Sequence, residues 1–325
     1  MAQIVLGIGT SHSPQCSTPA EQWIVHAERD RRNNDIPYDV LLAERGHSLS
    51  SELTFDCWRQ KYERCQRGIW ALADALRVVK PDVVVVIGDD QDEIFSADLR
   101  PAVAIFGGDH LDDIPPGLDA YHPAIWPAYW ARHGNRREAY PTDNGLAEFI
   151  VRSLTTGGID VTWFTRQPPA RTLGHAYTFV RRRLMGQEII PMVPIFLNTY
   201  YPPNQPTVAQ CWRLGQGVRQ AIDRWTGCER VALIASGGLS HFVVDEDLDR
   251  RVLGALRDHD TAVLQTLPEE AMMSGTSEIR NWVCVGAALH DHTFDVIDYI
   301  PAYRSPAGTG MGMAFGVWRP NLAEN

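Results

Sequence analysis

The chain has 325 residues, 44% of them hydrophobic and 22% charged, an ordinary globular composition with enough length to bury a sizeable core. Its formal net charge of −10 argues against nucleic acid or an anionic membrane surface as a partner. The short basic clusters Arg29 to Arg32 and Arg181 to Arg183 sit among acidic residues and read as solvated helix faces.

In chain order, strands are predicted at Ile4 to Ile8, Val83 to Ile87, Ala102 to Phe106, Val161 to Phe164, Ile189 to Leu197 and Val231 to Ala235, with later ones at Val296 to Ile300 and Met311 to Trp318. Several are continuous apolar runs, as expected of strands covered on both faces. Between them, apolar residues at three- and four-residue spacing predict helices over Phe55 to Val79, Gly145 to Leu154, Thr207 to Trp225, Leu248 to Leu267 and Glu278 to Leu289. In the first of these, Trp58, Tyr62, Cys65, Ile69 and Leu72 form one stripe. The alternation predicts an α/β fold: one domain over 1–325, with a central mixed, mostly parallel sheet flanked by helices. No repeat or composition break marks a linker. Residues 13 to about 54 and 107 to 142 read as long irregular segments, and loops of that length often cover a functional site.

The six cysteines contain no CxxC pair, which excludes a zinc ribbon or a thioredoxin-like motif and fits reduced thiols. No basic segment precedes a long apolar run at the N-terminus, and no apolar run approaches the ~20 residues that span a bilayer. A soluble, cytoplasmic protein is expected.

Chemistry-bearing residues collect after the strands. GTSHSP puts His12 beyond the first strand, IGDDQDE follows the second, Asn198, Thr199 and Tyr200 end the fifth, and SGGLSH carries His241 beyond the sixth. Ligands of open α/β sheets bind outside the carboxyl ends of the strands, so the active site is expected there. Three common motifs fail. His12 stands where a dinucleotide fingerprint needs its third glycine, Phe242 occupies the last position of a would-be GxSxG elbow, and no phosphate-binding GxxxxGK[ST] loop occurs.

A metal site remains. Two histidines and a carboxylate with open positions suit Fe(II) that must also take substrate and dioxygen. His12, with the other loops converging on it, is a candidate ligand. By position alone Glu278 is as well explained by capping the helix it opens. His175 could equally be a packed, hydrogen-bonded histidine. The triplet His290, Asp291, His292 ends a helix, where positive charge is favoured, and reads as structural.

Together these segments resemble the class III extradiol ring-cleaving dioxygenases, the protocatechuate 4,5-dioxygenase β-subunit superfamily. The matching pieces are GTSHSP, IGDDQDEIF, LGHAYTFV, LNTYYPPNQPT, SGGLSHF, GTSEIRNW and GTGMGMAF, in the family's order along nearly the whole chain. The branch it looks closest to is the single-chain 3-O-methylgallate and gallate dioxygenases. The resemblance implies non-haem Fe(II), a catecholic aromatic acid and O2 as substrates, and a role in the catabolism of lignin-type aromatics. It makes His12 and Glu278 iron ligands, His241 the acid–base catalyst, and His175 a second histidine near the substrate hydroxyls.

One position departs. Where the family carries a second iron-binding histidine in a pattern like NDHxxxF, this chain has Gln91. Either Gln91 is a weaker neutral ligand, or His47, from the 13–54 segment, enters the sphere. Arg304 and Arg280 are candidate anchors for a substrate carboxylate, and the aromatic stretch Tyr121 to Trp130 a candidate pocket wall. A homodimer is the default assembly. Two other readings stand beside this one: a metal-dependent hydrolase using the acidic GDDQDE loop, and a non-catalytic relative acting in protein interaction.

Overall fold

The computed structural model describes residues 1–34, 36–228 and 230–321. Its strands are β1 (Gln3–Thr10), β2 (Val83–Asp89), β3 (Val103–Phe106), β4 (His110–Asp113), β5 (Glu138–Pro141), β6 (Thr162–Phe164), β7 (Met192–Leu197), β8 (Arg230–Ser236), β9 (His292–Tyr303) and β10 (Gly310–Pro320). Eight of them form one sheet in the order β6-β3-β7-β2-β8-β1-β10-β9. The central run β7-β2-β8-β1 is parallel. β3 and β10 join its two sides antiparallel, and β9 closes one edge antiparallel to β10. The sheet is therefore mixed, with its parallel part in the middle, as the sequence predicts.

The principal helices are α1 (Trp23–Arg31), α2 (Tyr38–Arg45), α3 (Phe55–Val79), α4 (Asn144–Thr156), α5 (His175–Phe179), α6 (Val208–Arg224), α7 (Glu246–Arg257), α8 (Thr261–Gln265) and α9 (Ile279–Ala288). The all-valine start of β2 shows why its run is continuous. Val83, Val85 and Ile87 pack into one core with α4, α6, α7 and α9, while Val84 and Val86 pack into the other with α3 and α5. Both faces are covered, so neither tolerates a polar residue. α3 buries Trp58, Cys65, Ile69, Leu72 and Leu76 along the predicted stripe, and the Thr54 hydroxyl caps its start by accepting the Cys57 N–H. α6 opens with a full capping box between Thr207 and Gln210.

The structure corrects the sequence reading in several places. The predicted helix Leu248 to Leu267 is two helices, because His259 takes a positive φ of 55° and Asp260 caps a fresh start. The 13–54 segment holds α1 and α2, and 107–142 holds the short β4–β5 ladder. The basic cluster Arg181 to Arg183 is not a solvated face: Arg181 pairs with Glu138, and Arg183 donates to Ser17 and Gln66. All six cysteines are free. Among the described residues no helix is long and apolar enough to cross a membrane.

Candidate active site

Adjacent parallel strands set the site. Thr10 at the end of β1 is paired with Ser236 of β8, which is paired with Gly88 of β2. One or two residues further on, the chain carries His12, Asp89 and the turn Gly237 to His241, so these groups converge at one sheet edge. α9 brings Glu278 from the side. That residue holds the N-cap position of α9, yet its side chain makes no cap bond. It points instead at His12 and His241, with Nε2 to carboxylate distances of 3.4 and 3.3 Å. Gly275 is needed close by, because a Cβ there would lie 2.0 Å from Cδ2 of His241.

Three imidazoles share one arrangement: Nδ1 is held by a neighbouring oxygen and Nε2 is the outward nitrogen, which in His241 meets Glu278 Oε1 at 3.3 Å. Ser236 donates its hydroxyl to the Ala176 carbonyl at 2.6 Å, so its Oγ accepts from His12 Nδ1 at 3.0 Å. His175 Nδ1 is held by Glu93 at 2.7 Å, and His241 Nδ1 by the Leu239 carbonyl at 2.8 Å. Such partners fix the tautomer and aim the other nitrogen.

The carboxylates differ in environment. Burial works against the Glu278 anion, but His241 and His12 outweigh it and hold its carboxyl well below the usual range. Its Oε2 also accepts the Gly238 N–H at 2.6 Å. Burial, opposed by Glu278, would lower His12 and His241, yet the carboxylate wins and both imidazoles are raised. Glu93 also resists its burial: His175 and then Arg132 hold it down at about 2. Asp89 is pushed up, by burial first and by Glu278 next.

A metal fits this donor set. His12 Nε2 and Asp89 Oδ1 are buried, have no hydrogen-bond partner among the described residues, and lie 3.8 Å apart. Leaving two such atoms unsatisfied would cost about 1–3 kcal/mol each. Ligand atoms of His12, Asp89 and His175 all lie within 4.8 Å of one another.

The cavity over these groups has a volume of about 310 Å³. His12, Gln91, His175, His241 and Glu278 line it, with Ser13, Pro14 and Arg29 from the 13–54 segment and Tyr121, His122, Ile125 and Arg132 from the 107–142 segment. Both long segments thus wall the site, and the aromatic stretch contributes Tyr121, whereas Trp126 and Trp130, each nearly half exposed, lie outside the cavity lining.

Of the residues singled out from sequence, the structure brings together His12, His175, His241, Glu278 and Gln91 but not the other three. His47 is exposed, just beyond the end of α2, and lies outside the cavity lining. Arg304 is buried in a two-pronged ion pair with Asp30 and donates to Gln15. Arg280 points away, to the Met272 carbonyl and Glu269. The cations at the cavity are Arg29 and Arg132, which the sequence reading missed. Arg132 pairs with Glu93 at 3.2 Å, whereas Arg29 makes no salt bridge among the described residues. The His290 to His292 triplet is structural, as read: His290 bonds the Ala287 carbonyl and His292 bonds Asp291.

Comparison with known proteins agrees with this geometry. The chain is similar to the gallate dioxygenase of Pseudomonas putida, with 28% identity over 193 residues, covering 55% of this chain and 54% of that protein. It also resembles 2,3-dihydroxyphenylpropionate/2,3-dihydroxicinnamic acid 1,2-dioxygenases. The one from Photorhabdus laumondii is 26% identical over 52% of this chain and 46% of its own length. For the one from Comamonas testosteroni the identity is 26%, over 54% and 48%. The chain thus spans about half the length of the curated relatives it matches. The family model described as the catalytic LigB subunit of aromatic ring-opening dioxygenase matches residues 58–313, which hold His175, His241 and Glu278; His12 lies well before the matched stretch. With most of the chain matched, and with those three residues facing one cavity, this protein belongs to the family of catalytic LigB subunits of aromatic ring-opening dioxygenases.

Proposed function

We propose that this chain opens the ring of a catechol bearing a carboxylate, by extradiol cleavage with O2 at a non-haem Fe(II) held by His12 and Glu278. The observation that carries the reading is the convergence of the His12, His175 and His241 rings and the Glu278 carboxylate in one cavity of about 310 Å³, room for a single substituted ring. When bound, the iron would act as a Lewis acid toward the two ring hydroxyls and pass electron density from ring to dioxygen.

The protein's own groups handle protons and orientation. His241 has Nδ1–H tied to the Leu239 carbonyl, so Nε2 is the atom that takes a proton from a ring hydroxyl and later returns it. His175 has Nδ1 tied to Glu93, so its Nε2 is free to bond a ring hydroxyl or an oxygen that gains negative charge. Arg29, exposed and without a salt bridge among the described residues, is the anchor for the substrate carboxylate. It replaces Arg304 and Arg280, whose guanidinium groups are already committed.

The test is anaerobic reconstitution with Fe(II), followed by oxygen uptake with gallate, 3-O-methylgallate, protocatechuate and unsubstituted catechol. One O2 consumed per ring opened, with the absorbance of a ring-opened product, is expected for at least one acid. Stoichiometric iron without oxygen uptake on any of them would overturn the reading.

A further inference from the structure

We propose that Asp89 is the third protein donor to the metal, and that Gln91 positions the carboxylates without binding the ion itself. The inference rests on the metal reading given above. Gln91 stands where the resemblance expects a histidine, and its side chain is already engaged. Its Nε2 lies 2.9 Å from Asp89 Oδ2 and 3.3 Å from Glu278 Oε1. Both neighbours are carboxylates, which accept hydrogen bonds when ionised, so the amide must turn its NH2 toward them. That orientation points donors, not the amide oxygen, at the carboxylate pair.

The consequence lies on the far side of Asp89. With Oδ2 held by Gln91, Oδ1 is left buried with no hydrogen-bond partner among the described residues, 3.8 Å from Nε2 of His12, which also has no hydrogen bond among them and faces Glu278 Oε2 at 3.4 Å. Two lone pairs facing each other in a dry pocket need a cation or a donor between them. Asp89 is also the last residue of β2, next to the row in which Gly88 pairs with the Ser236 that fixes His12. Its backbone is therefore held by the sheet, a rigid support for a ligand. Two carboxylates and one imidazole would balance the charge of a divalent ion and form a harder donor set than two imidazoles and one carboxylate. His175 has a ligand atom within reach of the same pair and remains available to the substrate.

The experiment uses the full chain and its D89A, D89N, Q91A and E278A variants, loaded anaerobically with Fe(II) and separately with Co(II). Bound metal per chain, the Kd from chelator competition and the visible Co(II) spectrum are read, with circular dichroism to check folding. The wild type should hold one equivalent. D89A should lose more than about 100-fold in affinity, beyond the 10- to 100-fold typical of losing an outer partner, while Q91A should lose about tenfold and still fill at high metal. If D89A fails to fold, D89N, which keeps the shape and loses the charge, decides by the same loss. Wild-type affinity in both Asp89 variants, or a larger loss in Q91A than in D89A, would overturn the assignment. A wild type that binds neither ion would instead sink the iron reading itself, so the two failures are distinct.

Discussion

His241 places its Nδ1 2.8 Å from the carbonyl oxygen of Leu239, two residues back in the chain, and so turns its Nε2 to the cavity, where it lies 3.3 Å from Glu278 Oε1. A carbonyl only accepts, so the tautomer is set by the backbone of the turn after β8. Replacing His241 with alanine should leave metal binding close to wild type and reduce ring opening by roughly 10²-fold or more, the usual value of acid–base help. Iron content and turnover are measured on the same sample. Near-normal turnover at full iron occupancy would remove the role.

Arg29 supports a separate test of substrate choice. A charged hydrogen bond to a substrate carboxylate contributes about 1.5–3 kcal/mol, which is roughly a 10- to 100-fold change in kcat/KM. Arg29→Met should impose that loss on gallate or protocatechuate, mostly through KM, and leave an uncharged catechol within about twofold. An equal loss on charged and uncharged substrates would mean that Arg29 shapes the wall and does not read the carboxylate.

The sequence revealed the sheet better than the walls of the site. β2 and β8 were legible because both of their faces are buried, which forces uninterrupted apolar runs. The helices in 13–54 were not, since α2 buries none of its residues and two of the four that α1 buries, His26 and Asp30, are polar. His12 and His241 could be found from their positions after strands. Asp89 was concealed among the acids of GDDQDE, and Arg29 in a basic run that looked solvated. Arg280 misled because adjacency in sequence is not adjacency in space: two residues along a helix turn the side chain by about 200°. Arg280 accordingly leaves on the side opposite Glu278, toward Glu269. His47 shows a related limit, because nothing local says which way a long connection folds.

The wall that carries Tyr121 has its own buried support. Asp113 accepts from His133 Nδ1 at 2.6 Å and from the Gly134 N–H at 3.0 Å, which leaves His133 Nε2 to accept the Tyr121 hydroxyl at 2.7 Å. Asp113 is fully buried and also takes longer bonds from the Tyr140 and Thr172 hydroxyls, so Asp113→Ala strands the His133 and Gly134 donors together with these. The expected loss is about 3 kcal/mol of stability, read by urea unfolding, together with a raised KM as Tyr121 loosens. A loss below about 1 kcal/mol would show that the chain of bonds is not what holds this wall.

Asp249 predicts an acid-side behaviour opposite to that of a salt-bridged carboxylate. Burial pushes its carboxyl up to about 6 from an ordinary value of 3.8, against the hydrogen bonds from Ser240 and Tyr299. Between those two values the folded protein keeps a proton that the unfolded chain has released. The contribution to stability is therefore fully present below about pH 4 and is lost as pH rises through 6. A shift of about two units corresponds to about 3 kcal/mol. Asp249→Asn is neutral throughout, so its stability relative to the wild type should rise by that amount between pH 4 and pH 7. Urea unfolding of both proteins across this range measures the difference, and a difference that stays flat with pH would show that Asp249 is ionised in the fold. The group matters beyond stability, because its two oxygens hold the backbone and hydroxyl of Ser240, the residue that delivers His241 to the site.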